Sequence, residues 1–180
     1  MRRINSLLTL LILVLFLLHG IFGAFQLFGI GATALKGLAR AALTLTVVHA
    51  LIGVKLTYDS IRVWRKTGAA YFRENRMFWT RRISGLAVLV LLVFHMLAFS
   101  ATGSGGSYRL PWFGSFQLFT QILLAVSIGL HVLTNIRPLR IGLGARGMKA
   151  WMADILLVLS VLLLFMAAGF IVYYLRWNVW

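Results

Sequence analysis

The chain has no cysteine and very little negative charge. The first absence excludes disulfides, thiolate metal sites, iron–sulfur ligation and cysteine nucleophiles, so any redox chemistry must come from a bound cofactor. The acids are three, Asp59, Glu74 and Asp154, against 18 Lys and Arg. The prolines are two, Pro111 and Pro138, and each is expected to mark a boundary because proline cannot continue a helical hydrogen-bond ladder. The net charge of +15 does not point to nucleic acid. The basic residues are interleaved with apolar runs, where they report membrane orientation, and no nucleic-acid partner is expected.

What is present is hydrophobic: 61% of the residues, with only 12% charged. That composition predicts an all-α integral membrane protein folded as a single bundle surrounded by membrane lipid. The central run, Ile83 to Ser100, opens on Arg81-Arg82 and is long enough to cross about 30 Å of hydrocarbon as a helix. Runs of this kind predict five transmembrane helices, at about 6–28, 38–58, 83–101, 113–136 and 152–174. The first resembles a signal peptide in its charged start, but it is too long and lacks a clear small-x-small cleavage site. The Gly-rich stretch Gly29 to Gly37, the basic segment Arg62 to Arg82, the Gly/Ser stretch Thr102 to Ser107 with Pro111, and a basic loop to Lys149 are the expected connections. Arg137-Pro138 is expected to stop the fourth helix.

Fourteen of the Lys and Arg fall on one side of these spans and four on the other. The positive-inside rule then predicts a cytoplasmic N-terminus and an outside C-terminus. All six tryptophans, Trp64, Trp79, Trp112, Trp151, Trp177 and Trp180, fall at or beyond span ends, as interfacial belts require.

Each of the first four spans holds one histidine, and these are all the histidines in the chain: His19, His49, His95 and His131. Ionisable groups inside membrane spans usually serve function. His19 is 13 positions from Ser6 and His95 is 12 from Ile83, which puts both roughly 18 to 20 Å above the cytoplasmic edge. His49 and His131 each precede a basic residue, Lys55 and Arg137, by six positions, or roughly 9 Å. The four therefore pair by depth into an outer and an inner level. LLHGIFG parallels VFHMLAF, and VVHALIG parallels GLHVLTN, as an ancient duplication of the hairpin leaves.

Two imidazoles facing each other at one depth fill both axial positions of a haem iron. His19 and His95 are the candidate ligands of an outer haem, and His49 and His131 of an inner one. Gly20 and Gly23 near His19, Ala50 and Gly53 near His49, and Gly129 near His131 are small enough to leave room for the ring. Lys55, Arg81, Arg82 and Arg137 are candidate partners of haem propionates. The plainer reading of each histidine is an interhelical hydrogen bond, and of the glycines, close helix packing. A haem-free carrier with a polar path through Thr44, Thr46, Thr120, Gln121, Ser127 and Thr134 is the alternative from a different class.

Five spans, histidines on the first four and none on the fifth, and the RRISG start of the third helix (Arg81 to Gly85) ahead of Phe94-His95 resemble one known family. It is the single-polypeptide, five-helix dihaem cytochrome b anchor of succinate:quinone oxidoreductases and quinol:fumarate reductases. The resemblance covers essentially the whole chain. It implies two haem b groups, with the first and third helices ligating the distal one and the second and fourth the proximal one. It further implies an FAD-containing flavoprotein subunit and an iron–sulfur subunit docked on the basic cytoplasmic loops. The chain itself would carry out no dicarboxylate chemistry; it would pass electrons between the clusters and a quinone, menaquinone or ubiquinone, in the cytoplasmic membrane of a prokaryote. Its acids lie near the cytoplasmic ends, whereas some dihaem relatives carry glutamates inside the membrane, so a quinone site at either face stays open. So does a different membrane-bound dehydrogenase as the partner.

Overall fold

A computed structural model of the chain describes residues 2–30, 36–67, 76–99, 110, 113–144 and 152–178. Among these the only regular elements are five helices: α1 Arg2–Leu27, α2 Lys36–Thr67, α3 Arg76–Phe99, α4 Ser115–Gly142 and α5 Met152–Asn178. Each is long and apolar enough to cross a membrane. Their outward residues are large and apolar, with Val54, Leu97, Leu157 and Leu164 all well exposed, which only a lipid environment makes favourable. Trp112, Trp151, Trp180, the Thr102 to Ser107 stretch, Pro111 and the loop from 145 to Lys149 lie outside the described residues.

Two helix ends show why they stop where they do. After α1, Gly29 takes a left-handed φ of 83°, and the amides of Gly29 and Ile30 bond back to the carbonyls of Gln26 and Phe25. Those two bonds satisfy carbonyls that a helix end otherwise strands. At the start of α4 the Gln117 side chain accepts the Gly114 amide at 3.0 Å, covering one of the free donors there.

Both described ends of the basic segment Arg62 to Arg82 are helical: α2 runs on to Thr67 and α3 begins at Arg76, with 68–75 outside the described residues. Arg and Lys are good helix formers, and Arg65 and Lys66 sit in the last turn of α2, where their charge complements the helix dipole. The expected stop at Arg137-Pro138 is also corrected, because α4 continues through Pro138 to Gly142. A proline inside a helix costs about 3 kcal/mol, largely by leaving the carbonyl four residues earlier without its donor. That carbonyl belongs to Thr134, and it accepts the Nε–H of Arg81 on α3 at 2.8 Å. A bond from a charged donor returns about 1.5 to 3 kcal/mol, enough to let the helix pass.

α3 packs most extensively on α4, and α1 lies against both α2 and α5, while α2 meets α3 only sparsely. The basic ends of α1 and α4 meet where Ser6 presses on Gly142. At the opposite end Leu27, Leu110, Phe113 and Tyr173 form a buried cluster, with Phe99, Phe170 and Trp177 packed around it. The Tyr173 hydroxyl, almost wholly buried, accepts the Leu110 amide there.

Candidate functional site

The structure brings the histidines together as two pairs. The rings of His19 and His95 have centroids 6.0 Å apart and planes at 82°. Those of His49 and His131 are 6.4 Å apart at 84°. A direct N–H···N bond of about 3 Å places two imidazole centroids only about 5 Å apart. A metal ion between two ring nitrogens, at about 2 Å from each, separates them by about 6 Å. Both pairs have the second spacing. The helices of each pair, α1 with α3 and α2 with α4, scarcely touch directly, so the rings reach across the bundle toward each other.

Hydrogen bonds fix which nitrogen of three rings carries the proton. His95 Nδ1 lies 2.8 Å from the Oε1 of Gln121, a side chain with no exposed surface. An amide oxygen only accepts, so Nδ1 holds the hydrogen and Nε2 keeps its lone pair. His49 Nδ1 is 3.1 Å from Asn5 Oδ1 and 3.3 Å from the hydroxyl of Thr9, whose own proton goes to the Asn5 carbonyl. His131 Nδ1 is 3.1 Å from the hydroxyl of Ser84, which donates to the Arg81 carbonyl. A hydroxyl has one proton, so Thr9 accepts from the His49 ring, and at His131 the Arg81 carbonyl, which can only accept, takes part alongside Ser84. Each of these three imidazoles is thereby set in the tautomer that ligates metal through Nε2, with its other nitrogen held by a neighbouring helix.

Ser84, Gln121, Asn5 and Thr9 read as ordinary polar residues within apolar runs. A buried amide at mid-span, such as Gln121, is the one signal among them, since lipid tolerates it only with partners.

The glycines divide by face. Gly20 and Gly129, one position after and two before a histidine, point well around the helix from it. Their missing side chains admit Met166 and Leu163 of α5, so they make room for the fifth helix and not for a ring between the histidines. Gly23 and Gly53, four positions after His19 and His49, stay on the histidine face. A Cβ on Gly23 would meet nothing within 4 Å, and one on Gly53 would stand 3.3 Å from Arg82 Nη1. Gly85 lies under the His131 ring, where a Cβ would come within 3.0 Å of Cε1.

The basic candidates divide as well. Lys55 and Arg137 are exposed and, at six positions from their histidines, turned off the histidine face. Arg81 is tied through Nε to Thr134. Arg82 reaches back over the Phe78 ring at 4.9 Å, and its Nη1 lies beside Gly53 on the histidine face of α2.

Comparison of the chain with protein-family models, curated proteins and solved structures gave no significant match. What the site can do therefore follows from its donors. Among the described residues no group of three or more His, Asp or Glu could hold a bare metal ion. Two imidazoles across a gap of one atom in an apolar setting are a donor set that could bind the two faces of a metal already held in a macrocycle.

Proposed function

We propose that this chain is a dihaem cytochrome b, the membrane anchor of a succinate:quinone oxidoreductase or quinol:fumarate reductase. The single observation that carries the haem reading is the pairing of four histidines at 6.0 and 6.4 Å across the bundle. A haem b held by each pair would supply one-electron transfer. His19 and His95 hold the group farther from the basic end, and His49 and His131 the nearer one. Gln121, Asn5, Thr9 and Ser84 orient the rings and keep their Nε2 lone pairs available. Arg82 is placed to neutralise a propionate of the nearer group. Phe99 packs on the His95 ring with centroids 4.8 Å apart and keeps its surroundings apolar.

The layout of spans and histidines supports the family, and the basic ends of α2 and α3 suit a cytoplasmic flavoprotein and iron–sulfur subunit that exchange electrons with membrane quinone. A haem-free carrier needs a polar path, and most of its candidate groups are spent locally. Thr44, Thr46, Thr120 and Thr134 each donate to a carbonyl of their own helix.

The test is a dithionite-reduced minus air-oxidised absorbance spectrum of the purified chain, with pyridine-haemochrome quantitation. About two haem b per chain is expected. Protein made under haem-replete conditions that carries none overturns the reading, and co-purification with flavin-containing partners tests the complex.

A further inference from the structure

Arg81 meets α4 at two levels, and both lead to His131. Its side chain donates through Nε to the Thr134 carbonyl, three residues beyond His131 and the one carbonyl that Pro138 deprives of a helical donor. Its main-chain carbonyl bonds the Ser84 hydroxyl, which lies 3.1 Å from His131 Nδ1, and takes part in a bond with His131 itself. One residue thus holds the backbone that carries His131 and sets the partner that orients its ring.

We infer that Arg81 is a positioning residue for His131, a brace across the proline-interrupted turn of α4, and not a haem-propionate ligand. Where it concerns the ligand this rests on the dihaem reading, but the brace itself belongs to the protein alone. The chemistry explains why arginine stands here. The Thr134 carbonyl sits one turn inside the end of a membrane span, and only a long side chain with a permanent donor reaches it from the neighbouring helix. Were Arg81 an anion ligand, removing Pro138 would have no bearing on it. As a brace, its loss is repaired by giving position 138 an amide hydrogen.

The experiment uses the full chain in detergent, loaded with haem, as wild type, Arg81→Met, Arg81→Lys, Pro138→Ala and the double variant Arg81→Met/Pro138→Ala. Two readouts are taken: amide hydrogen exchange over residues 132–143, which needs no haem, and the low-spin ferric electron paramagnetic resonance spectrum. Arg81→Met is expected to raise exchange in that segment about tenfold or more and to shift one of two low-spin signals, leaving the other in place. Arg81→Lys, which keeps a charged donor, should stay near wild type. The double variant should recover both readouts, because the backbone amide that Pro138→Ala introduces can donate to the Thr134 carbonyl. Wild-type exchange and spectra in Arg81→Met, or a double variant as disturbed as the single one, overturn the inference. If Arg81→Met does not accumulate, accumulation of the double variant supports the brace and its absence overturns it. A chain that takes up no haem defeats the cytochrome reading, and the exchange comparison then judges the brace alone.

Discussion

The Nδ1 of His95 and the Oε1 of Gln121 lie 2.8 Å apart, joining the third and fourth helices at a point with no exposed surface on the glutamine. In lipid neither group has another partner to turn to, so the bond fixes both the tautomer of His95 and the rotation of its ring. The other Gln121 contact, from Nε2 to the Thr120 hydroxyl at 3.3 Å, holds the amide the right way round.

Replacing Gln121 by Leu keeps the volume and removes the acceptor. A buried N–H left unpaired costs about 1 to 3 kcal/mol, and loss of such a supporting bond weakens a metal ligand about 10- to 100-fold. Gln121→Leu should therefore lose haem from the His19–His95 pair on dilution or dialysis and retain the other. Haemochrome titration during dialysis measures this, and full retention of both groups would count against the role given to Gln121.

The histidines should behave as two independent sets. His19→Ala or His95→Ala should lower haem content from about two per chain to about one, as should His49→Ala or His131→Ala, but with loss of a different redox component. His19→Ala combined with His95→Ala should lose no more than either alone. Potentiometric titration of the reduced-minus-oxidised bands distinguishes the two components.

Gly85→Ala places a methyl within 3.0 Å of the His131 ring. The ring must give by a few tenths of an ångström, which disturbs the orientation its Ser84 contact holds. The expected result is loss or spectral change of the His49–His131 group alone. Gly37→Ala, at an exposed position near the start of α2 where a Cβ meets nothing within 4 Å, is the matched control; the bundle should melt as wild type does, read by light scattering in detergent.

Gly169 approaches the Ala24 backbone so closely that a Cβ would lie 3.3 Å from Ala24 Cα. Backbone cannot give way as a side-chain tip does, so Gly169→Val forces α1 and α5 apart at a cost of about 1 to 3 kcal/mol. Both haem groups should loosen together, with a melting temperature lower by several degrees. Selective loss of one group would instead place Gly169 at a ligand.

Tyr173→Phe removes the hydroxyl that accepts the Leu110 amide in the aromatic cluster. The orphaned amide costs about 1 to 3 kcal/mol, and at about 2 to 4 °C per kcal/mol the melting temperature should fall by several degrees. Haem content should not change, since the cluster lies beyond Phe99 from His95, at the end of the bundle.

The five helices were legible because a bilayer leaves a chain of this composition almost no other option, and run length alone then finds each of them. Which histidines face each other was legible from counting at 1.5 Å per residue along neighbouring spans. The helix ends were less so: apolar runs stop at the edge of the lipid, but Arg65, Lys66 and Arg76 continue the helix into the polar zone. Pro138 misled because its remedy, Arg81, lies 57 residues earlier. The partners of Nδ1 were hidden for the same reason, since nothing local marks Ser84 or Asn5 as facing a ring on another helix. The faces of Gly20 and Gly129 could have been read from helical spacing, which turns them away from the histidines next to them.

The sparse packing of α2 against α3 bears on how such a protein is made. Two hairpins can enter the bilayer separately, yet little in the chain itself draws the second helix toward the fourth across the gap at His49 and His131. A group that binds both rings acts as a clasp, and by mass action it favours the closed bundle in proportion to its free concentration. On the proposed reading, cellular haem supply then governs how much of this chain survives quality control, and the amount of anchor follows the amount of cofactor.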